Sequence, residues 1–193
     1  MDPKPGDPVE FFANGAAFER WMKKNHDKAS CIWVKSAKKK SGIPSITWDE
    51  GVDVALCYGW IDGQGKSLDD TYTLQRYTPR GKRSTWSKLN RERVARLIEE
   101  GRMQPAGLGE VERAKADGRW DAAYDPPSTA TVPDDLAKAL AKSAKARKFF
   151  ETLDGRNRYA ILHRIQNAKK PETRVRRIEQ FVELLKRGEK IYP

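Results

Sequence analysis

The sequence predicts an α+β protein: a small antiparallel sheet with helices forms its N-terminal part, and helices alone form its C-terminal module. Residues 71–77 (TYTLQRY) and, more weakly, 30–35 (SCIWVK) are rich in β-forming side chains. Between residues 134 and 193, apolar side chains recur at helical spacing instead. Residues 125–133 (DPPSTATVP) contain three prolines, which break regular structure and indicate a linker. The parts are therefore 9–124, the linker 125–133, and 134–193, as two domains or as one integrated fold.

The N-terminal helices are indicated by the residues at their ends. Asn14 is suited to cap a short helix. Thr47 and Glu50 form a T-x-x-E capping box for a second helix, which Gly59 can end in the left-handed conformation. Two further helices are predicted. Ser87 caps the first, over residues 88–100, which Gly101 ends, and Pro105 is suited to the first turn of the second, which Gly118 ends.

The stretch from Gly59 to Gly65 is unusually rich in glycine. Its three glycines predict a tight turn or a close approach of the backbone to another group. Their order, G-x-x-x-G-x-G, differs from the dinucleotide-binding fingerprint, and no strand-turn-helix unit surrounds them. The sequence therefore predicts no cofactor here.

Four helices are predicted in the C-terminal module. Pro171 begins the last one, and Gly188 follows its basic last turn, which agrees with the usual signals at both ends of a helix. Its apolar stripe consists of Val175, Ile178, Val182 and Leu185. The other three are predicted over residues 134–141, 143–153 and 157–168.

The chain is strongly basic, and the charge is concentrated towards its end. Among 193 residues, 38 are Lys or Arg and 27 are Asp or Glu, which gives a net charge of +11. Residues 134–193 contain 16 basic and 8 acidic residues, a net +8. This balance favours anionic partners such as nucleic acid, an anionic membrane surface or a phosphorylated ligand, although charge also serves solubility alone.

Cysteine content and apolar runs indicate the compartment. Cys31 and Cys57 are too few for a disulfide framework and have no metal-binding spacing, so two free thiols in a reducing cytoplasm are expected, with a single bridge left open. The first residues have neither a basic region nor an apolar region typical of a signal peptide. No apolar run approaches the length of a membrane span. We therefore expect a cytoplasmic protein without membrane insertion.

A basic and aromatic segment before the third helix is the first candidate binding site. Guanidinium groups beside an indole suit phosphate binding combined with stacking. The alternative is an exposed loop whose Trp86 fills the core where the helix begins. The candidate ligand-binding residues in and around this segment are Asp62, Arg76, Arg80, Arg83, Trp86, Asn90, Arg102 and Trp120.

Three carboxylates near the glycines, Asp62, Asp69 and Asp70, are the second candidate. They suit a metal site or a general base, but they suit turns better, because Asp side chains accept hydrogen bonds from nearby backbone N–H groups. No calcium-loop pattern and no Ser-His-Asp or Cys-His arrangement is present, so neither a metal ligand nor a catalytic residue is predicted. The sequence favours a protein that is not an enzyme, and an enzyme with a pocket around Asp62 and Arg80 stays open.

Basic residues of the last helix and the turn before it form the third candidate. Arg174 and Arg177 lie three residues apart on one face, a spacing that suits contacts along a phosphate backbone. The alternative is a solvated face paired with Glu179 and Glu183. The candidate anion or nucleic-acid surface consists of Lys169, Lys170, Arg174 and Arg177.

Several short motifs carry a family resemblance. In chain order they include residues 59–63 (GWIDG), 84–90 (STWSKLN), 101–103 (GRM), 114–120 (AKADGRW), 157–159 (NRY) and 171–178 (PETRVRRI). Together they resemble the YdeI/OmpD-associated proteins, also called the bacteriocin-protection family, over roughly Phe11 to Tyr192. The resemblance implies a bacterial protein linked to tolerance of bacteriocins or cationic antimicrobial peptides and to an outer-membrane porin. It carries over no catalytic residue.

The charge and the resemblance together give the functional expectation. A protein of net charge +11 would repel cationic peptides, so protection through an anionic partner makes more physical sense than direct sequestration. We expect a non-enzymatic stress- or antimicrobial-tolerance protein that binds an anionic ligand or partner. The alternatives are a nucleic-acid-binding protein that uses the basic C-terminal helices, and an enzyme of unassigned chemistry.

Overall fold

The computed structural model describes residues 2–168 and 170–193, which form two compact units. The first unit combines a sheet with helices and the second consists of helices, so the predicted α+β class is confirmed. The first contains the chain up to Trp86 and Asn90–Ala122, and the second contains Ser87–Leu89 and Ala123–Pro193.

The sheet of the first unit has the strand order β1-β2-β4-β3. Its strands are β1 Val9–Phe11, β2 Ile32–Ala37, β3 Trp60–Ser67 and β4 Tyr72–Pro79. β4 is antiparallel to both of its neighbours, as predicted. β1 runs parallel to β2, so the sheet is mixed rather than antiparallel throughout.

β3 occupies the glycine-rich stretch for which a turn was expected. Glycine weakens a strand by itself, and here pairing with β4 on one side holds it extended, with a register shift between Asp62 and Gly65. The amide nitrogen of Gln75 donates to the Gly63 carbonyl at 2.9 Å. A Cβ atom at Gly65 would lie 2.6 Å from the Gln75 side-chain oxygen, so glycine lets that side chain fold over the strand.

The helices of the first unit begin and end at the predicted signals. The Asn14 side chain accepts from the Ala17 N–H at 2.9 Å, and both bonds of the Thr47–Glu50 capping box are present. Gly59 has a φ of +75°, which completes the end of the second helix. The helices are α1 Gly15–Asn25, α2 Trp48–Cys57, α3 Lys88–Glu99 and α4 Pro105–Ala116, with a short 3-10 turn at Lys39–Ser41. The first two residues of α3, Lys88 and Leu89, are grouped with the second unit.

One face of the sheet is covered by α1 and α2 at the end where β2 begins. Tyr77 is buried there, with its ring 5.4 Å from that of Phe18. Its hydroxyl lies so close to α2 that a Cβ at Gly51 would collide with it. The core of the first unit includes Phe18, Met22, Ile32, Trp33, Trp60, Tyr77 and Leu97.

The second unit is the predicted set of four helices. They are α5 Asp134–Ala141, α6 Ala144–Glu151, α7 Gly155–Gln166 and α8 Pro171–Lys186. Ser143 and Asp154 cap α6 and α7 through their side chains. Their apolar faces bury Leu136, Leu140, Phe150, Ile161, Ile165, Ile178 and Leu185.

Both cysteines of the first unit are buried and free, as expected. Burial raises the pKa of the Cys57 thiol to about 11, which keeps it protonated and unreactive. Among the helices described, none is both long and apolar enough to cross a membrane.

Candidate functional site

Three of the predicted site residues come together inside the first unit. The Arg80 guanidinium carbon lies 3.6 Å from the centre of the Trp86 ring, and Arg80 donates to the Thr85 carbonyl at 3.1 Å. The Trp86 and Trp120 rings pack edge to face with centres 4.9 Å apart. Arg80 is only 4% exposed and Trp86 only 2%. The cluster is thus packed like a core, as the alternative interpretation of Trp86 proposed.

A second buried arginine, Arg119, supports the loop before α3 and was not singled out from the sequence. Its guanidinium contacts both oxygens of Asp117 at 2.8 Å and donates to the Ser84 carbonyl at 2.9 Å. Arg83, by contrast, is exposed in the same loop. Both partners stand in the motif Asp-Gly-Arg at residues 117–119, just after α4, which was the visible part of the signal.

Asp62 lies half-buried on β3, directly across from Tyr77 on β4. Burial raises the pKa of its carboxyl, and this is partly opposed by the charges of Arg80 and Arg93. Arg76 directly precedes Tyr77 on β4, so its side chain points to the opposite face of the sheet, where its charge interacts with Asp7. Asp62 and Arg80 are therefore brought near each other, and Arg76 is not.

Of the other two acidic candidates, Asp69 and Asp70, the first stabilises a turn between β3 and β4. The Asp69 side chain accepts from the N–H groups of Thr71 and Tyr72, both at 2.7 Å. This is the turn-forming role that the sequence favoured, shown here for Asp69. In the described part of the chain no cluster of His, Cys, Asp and Glu has the arrangement of a metal site.

Arg102 belongs to a network of ion pairs that joins α2 to α3. Asp53, 8% exposed, accepts from Arg93 at 3.0 Å and from Arg96 at 2.6 Å. Glu100 extends the network to Arg96 at 2.9 Å and to Arg102 at 3.3 Å. Asn90 is half-buried on α3. These contacts give Arg102 a structural environment separate from that of Arg80.

The predicted anion surface on the last helix is largely engaged in internal contacts. Arg174 forms a two-bond pair with Asp135, at 2.6 and 2.9 Å, and donates to the Ile165 carbonyl at 3.1 Å. Arg177 donates to the Arg164 carbonyl. Lys170 is exposed, and Lys169 lies outside the described residues. The two arginines therefore fasten α8 to α5 and α7.

A basic and aromatic pocket of about 440 Å³ lies elsewhere in the second unit, along one face of α7. We call it the α7 pocket. The residues that define it are Pro127, Arg156, Tyr159, His163, Arg164 and Tyr192. The four from α7 recur at intervals of three, four and one residues, so they share a face of the helix.

Tyr192 is held over this pocket by one buried side chain. Asn157, 1% exposed, accepts from the Tyr192 N–H at 2.9 Å and donates to the Tyr192 carbonyl at 3.2 Å. On the other wall, the Tyr159 hydroxyl donates to the Asp125 carbonyl at 3.0 Å. The backbone of Tyr192 and the side chain of Tyr159 are thereby held in place before any ligand arrives.

The electrostatics of the α7 pocket favour a negative ligand. The guanidinium carbons of Arg156 and Arg164 lie 4.3 and 5.9 Å from the centre of the Tyr192 ring. Burial, with the charge of Arg164, lowers the pKa of His163, whose ring also packs on Tyr124 at 4.6 Å. Among the described residues that line the pocket, none is acidic. Two permanent positive charges therefore face it without an acidic neighbour in the lining.

Sequence reasoning missed this pocket, although part of its signal was visible. Arg156, Tyr159, His163 and Arg164 follow one helical face in the printed sequence. Tyr192 comes from a distant part of the chain, and its placement depends on the Asn157 contact, which no local pattern indicates.

Two family models match the chain, one in each part. Searches of curated proteins and of solved structures give no match. The family model described as "Bacteriocin-protection, YdeI or OmpD-Associated" (OmdA) matches residues 129–188, so the resemblance is confirmed over a shorter stretch than was expected. The chain belongs to the family of the domain of unknown function DUF8412, whose model matches residues 10–110, just over half of its length, and it carries an OmdA domain at residues 129–188.

Proposed function

We propose that this OmdA-domain protein binds an anionic ligand in the α7 pocket and acts as a tolerance protein without catalysing a reaction. One observation carries the proposal: the guanidinium groups of Arg156 and Arg164 both lie close to the centre of the Tyr192 ring, at 4.3 and 5.9 Å, in a pocket whose described lining contains no acidic side chain.

The chemistry of the lining suits small anions that carry phosphate or carboxylate groups. Guanidinium groups stay charged at every physiological pH and form paired hydrogen bonds to both kinds of anion. Arg156 and Arg164 are exposed, so their N–H groups are accessible to a ligand. The volume of about 440 Å³ falls within the usual range for small-molecule sites, about 300–1,000 Å³.

The family description supplies the biological side of the proposal. It names bacteriocin protection, and bacteriocin-like peptides that are cationic would be repelled by a net charge of +11. Capture of an anionic molecule or partner is compatible with that charge. An association with an outer-membrane porin is a further proposal that the family description motivates.

The test is a calorimetric titration of the full chain with pyrophosphate. Arg156→Gln with Arg164→Gln should lower the affinity at least about tenfold, since each change removes a charge-assisted bond worth about 1.5–3 kcal/mol. Arg147→Gln with Arg176→Gln is the matched control, because both residues are exposed on the second unit and lie outside the pocket. An equal loss in both double variants would show that net charge, and not this pocket, governs binding.

Nucleic-acid binding is the second candidate, favoured by the net +8 of residues 134–193. The internal contacts of Arg174 and Arg177 leave fewer charges for a phosphate backbone than the sequence suggested. Fluorescence anisotropy with labelled single- and double-stranded oligonucleotides at low and physiological salt distinguishes the two proposals. Salt-sensitive binding that persists at physiological salt would favour nucleic acid.

A further inference from the structure

A larger groove, of about 970 Å³, lies over the sheet of the first unit and is unrelated to the α7 pocket. The loop from Gly42 to Trp48 forms its wall, and β2, β4 and β3 form its floor. The helices α1 and α2 cover the same face of the sheet around Tyr77 and Trp60, at the end where β2 begins. The part of the face beyond Tyr77 is therefore open to a ligand.

The floor of the groove contains a row of hydroxyl groups. Ser36, Thr73 and Ser67 lie directly opposite one another on three adjacent strands, so their side chains point to the same face. The next row towards α2 consists of Val34, Gln75 and Gly65. The floor thus changes from polar at the outer end to mixed and apolar nearer the helices.

The wall is fixed before binding. The Ala37 N–H donates to the Ser45 hydroxyl at 2.8 Å, and the Ile46 N–H donates to the Phe12 carbonyl at 2.9 Å. These bonds tie the loop to β2 and to the end of β1. A preformed wall lowers the entropic cost of binding.

Apolar side chains on the wall stay exposed beside this floor. Ile43 is 40% exposed and Trp48 is 47% exposed, and Pro44 follows Ile43 in the lining. The other tryptophans are all buried or half-buried. An exposed indole and isoleucine along one preformed groove favour contact with an apolar body.

Positive charge gathers at the hydroxyl end. The Lys38 ammonium donates to the Ser67 hydroxyl at 2.8 Å, and Lys39, exposed on the following turn, lines the groove. Lys66 also lines it, but it pairs with Asp2. Among the described lining residues none is acidic. The groove therefore offers a cationic, hydroxyl-rich end and an apolar end.

We propose that this groove binds an anionic amphiphile, a molecule with one negatively charged head and an apolar body. Its head lies at Lys39 and the row Ser36, Thr73 and Ser67, and its body lies along Ile43 and Trp48. This assigns a second site to the DUF8412 region, and it does not depend on the function proposed for the α7 pocket.

The test uses three probes with the same ten-carbon chain: decanoate, 1-decanol and decylammonium. Binding is followed by calorimetry and by the shift of tryptophan emission to shorter wavelength that burial of Trp48 produces. Decanoate should bind at least about fivefold more tightly than decanol, and decylammonium should bind most weakly. Equal affinities for the three probes would overturn the assignment of an anionic head.

Two pairs of variants locate the ends of the ligand. Lys39→Glu should lower decanoate affinity about fivefold or more, whereas Lys40→Glu, on the same turn but outside the lining, should change it less than twofold. Ile43→Ser should weaken all three probes, whereas Leu68→Ser, 44% exposed and outside the lining, should not. Equal effects within either pair would contradict binding in the groove.

The proposals for the α7 pocket and for the groove can be refuted independently of each other. Arg156→Gln with Arg164→Gln should leave decanoate affinity unchanged, and Lys39→Glu should leave pyrophosphate affinity unchanged. A loss of decanoate binding in the arginine variant would assign the probe to the α7 pocket and contradict the inference of a second site.

Discussion

Removal of the Asn157 side chain should loosen the C-terminal end of the chain and, with it, the α7 pocket. In Asn157→Ala, two hydrogen bonds between this side chain and the Tyr192 backbone are lost, of 2.9 and 3.2 Å. At about 1 kcal/mol net for each bond, the free energy of local opening should fall by about 2 kcal/mol. That corresponds to a roughly 30-fold larger opening constant for residues 189–193.

Hydrogen exchange measured on peptides is the suitable assay, because it reports opening segment by segment. Peptides from residues 189–193 and from the start of α7 should exchange faster in Asn157→Ala. All six tryptophans lie in the first unit, so tryptophan emission during urea unfolding provides an internal control that should not change.

Tyr192→Ala distinguishes the role of the Tyr192 ring from that of the two hydrogen bonds between Asn157 and the Tyr192 backbone. It keeps both backbone bonds to Asn157, so exchange at residues 189–193 should stay within about threefold of the parent protein. It should still weaken pyrophosphate binding, because the ring that both guanidinium groups contact is gone. Unchanged exchange in Asn157→Ala would refute the reasoning that this side chain positions Tyr192.

Three further predictions concern stability. Asp53→Ala should destabilise the first unit by about 2 kcal/mol, because Arg93 and Arg96 each lose an ion-pair partner on α2. Urea unfolding monitored by tryptophan emission measures this change, and a loss smaller than about 0.5 kcal/mol would show that the ion pairs do not stabilise the unit. Gly51→Ala should cost about 1–3 kcal/mol because its methyl group meets the Tyr77 hydroxyl, while Gly109→Ala, with open space around it in α4, should be neutral or stabilising; equal effects would contradict the packing described. Burial lowers the pKa of His163 below 6.5, so the folded state favours the neutral ring. The second unit should therefore lose stability as the pH falls below about 6.5. His163→Phe should remove this pH dependence, as measured by thermal unfolding followed by circular dichroism.

The parts of the fold that depend on local chemistry could be predicted from the sequence. The capping box of Thr47 and Glu50, and the glycines that follow α2 and α8, fix helix ends through contacts within a few residues. β3 could not be recognised in this way, because its glycines lower strand propensity and only pairing with β4 holds it extended.

The candidate sites were harder to predict, because the same residues serve burial or binding according to distant contacts. The sequence grouped Arg80 with Trp86 as neighbours in one segment, but no local pattern shows that they are buried, since the ring of Trp120 completes the cluster. Arg174 suggested a phosphate contact from the sequence, but its partner in the structure is Asp135, which lies 39 residues earlier in the chain and could not be recognised locally. The α7 pocket likewise depends on Tyr192, which Asn157 places.

The most direct test of the central proposal is an NMR titration that follows the side-chain Nε–Hε signals of the arginines as pyrophosphate is added. Binding in the α7 pocket should give saturable shifts for Arg156 and Arg164, together with a rise in the pKa of His163, because a bound anion stabilises its protonated form. Shifts that spread over the exposed arginines without saturation, or that centre on Arg174 and Arg177, would contradict binding in the α7 pocket.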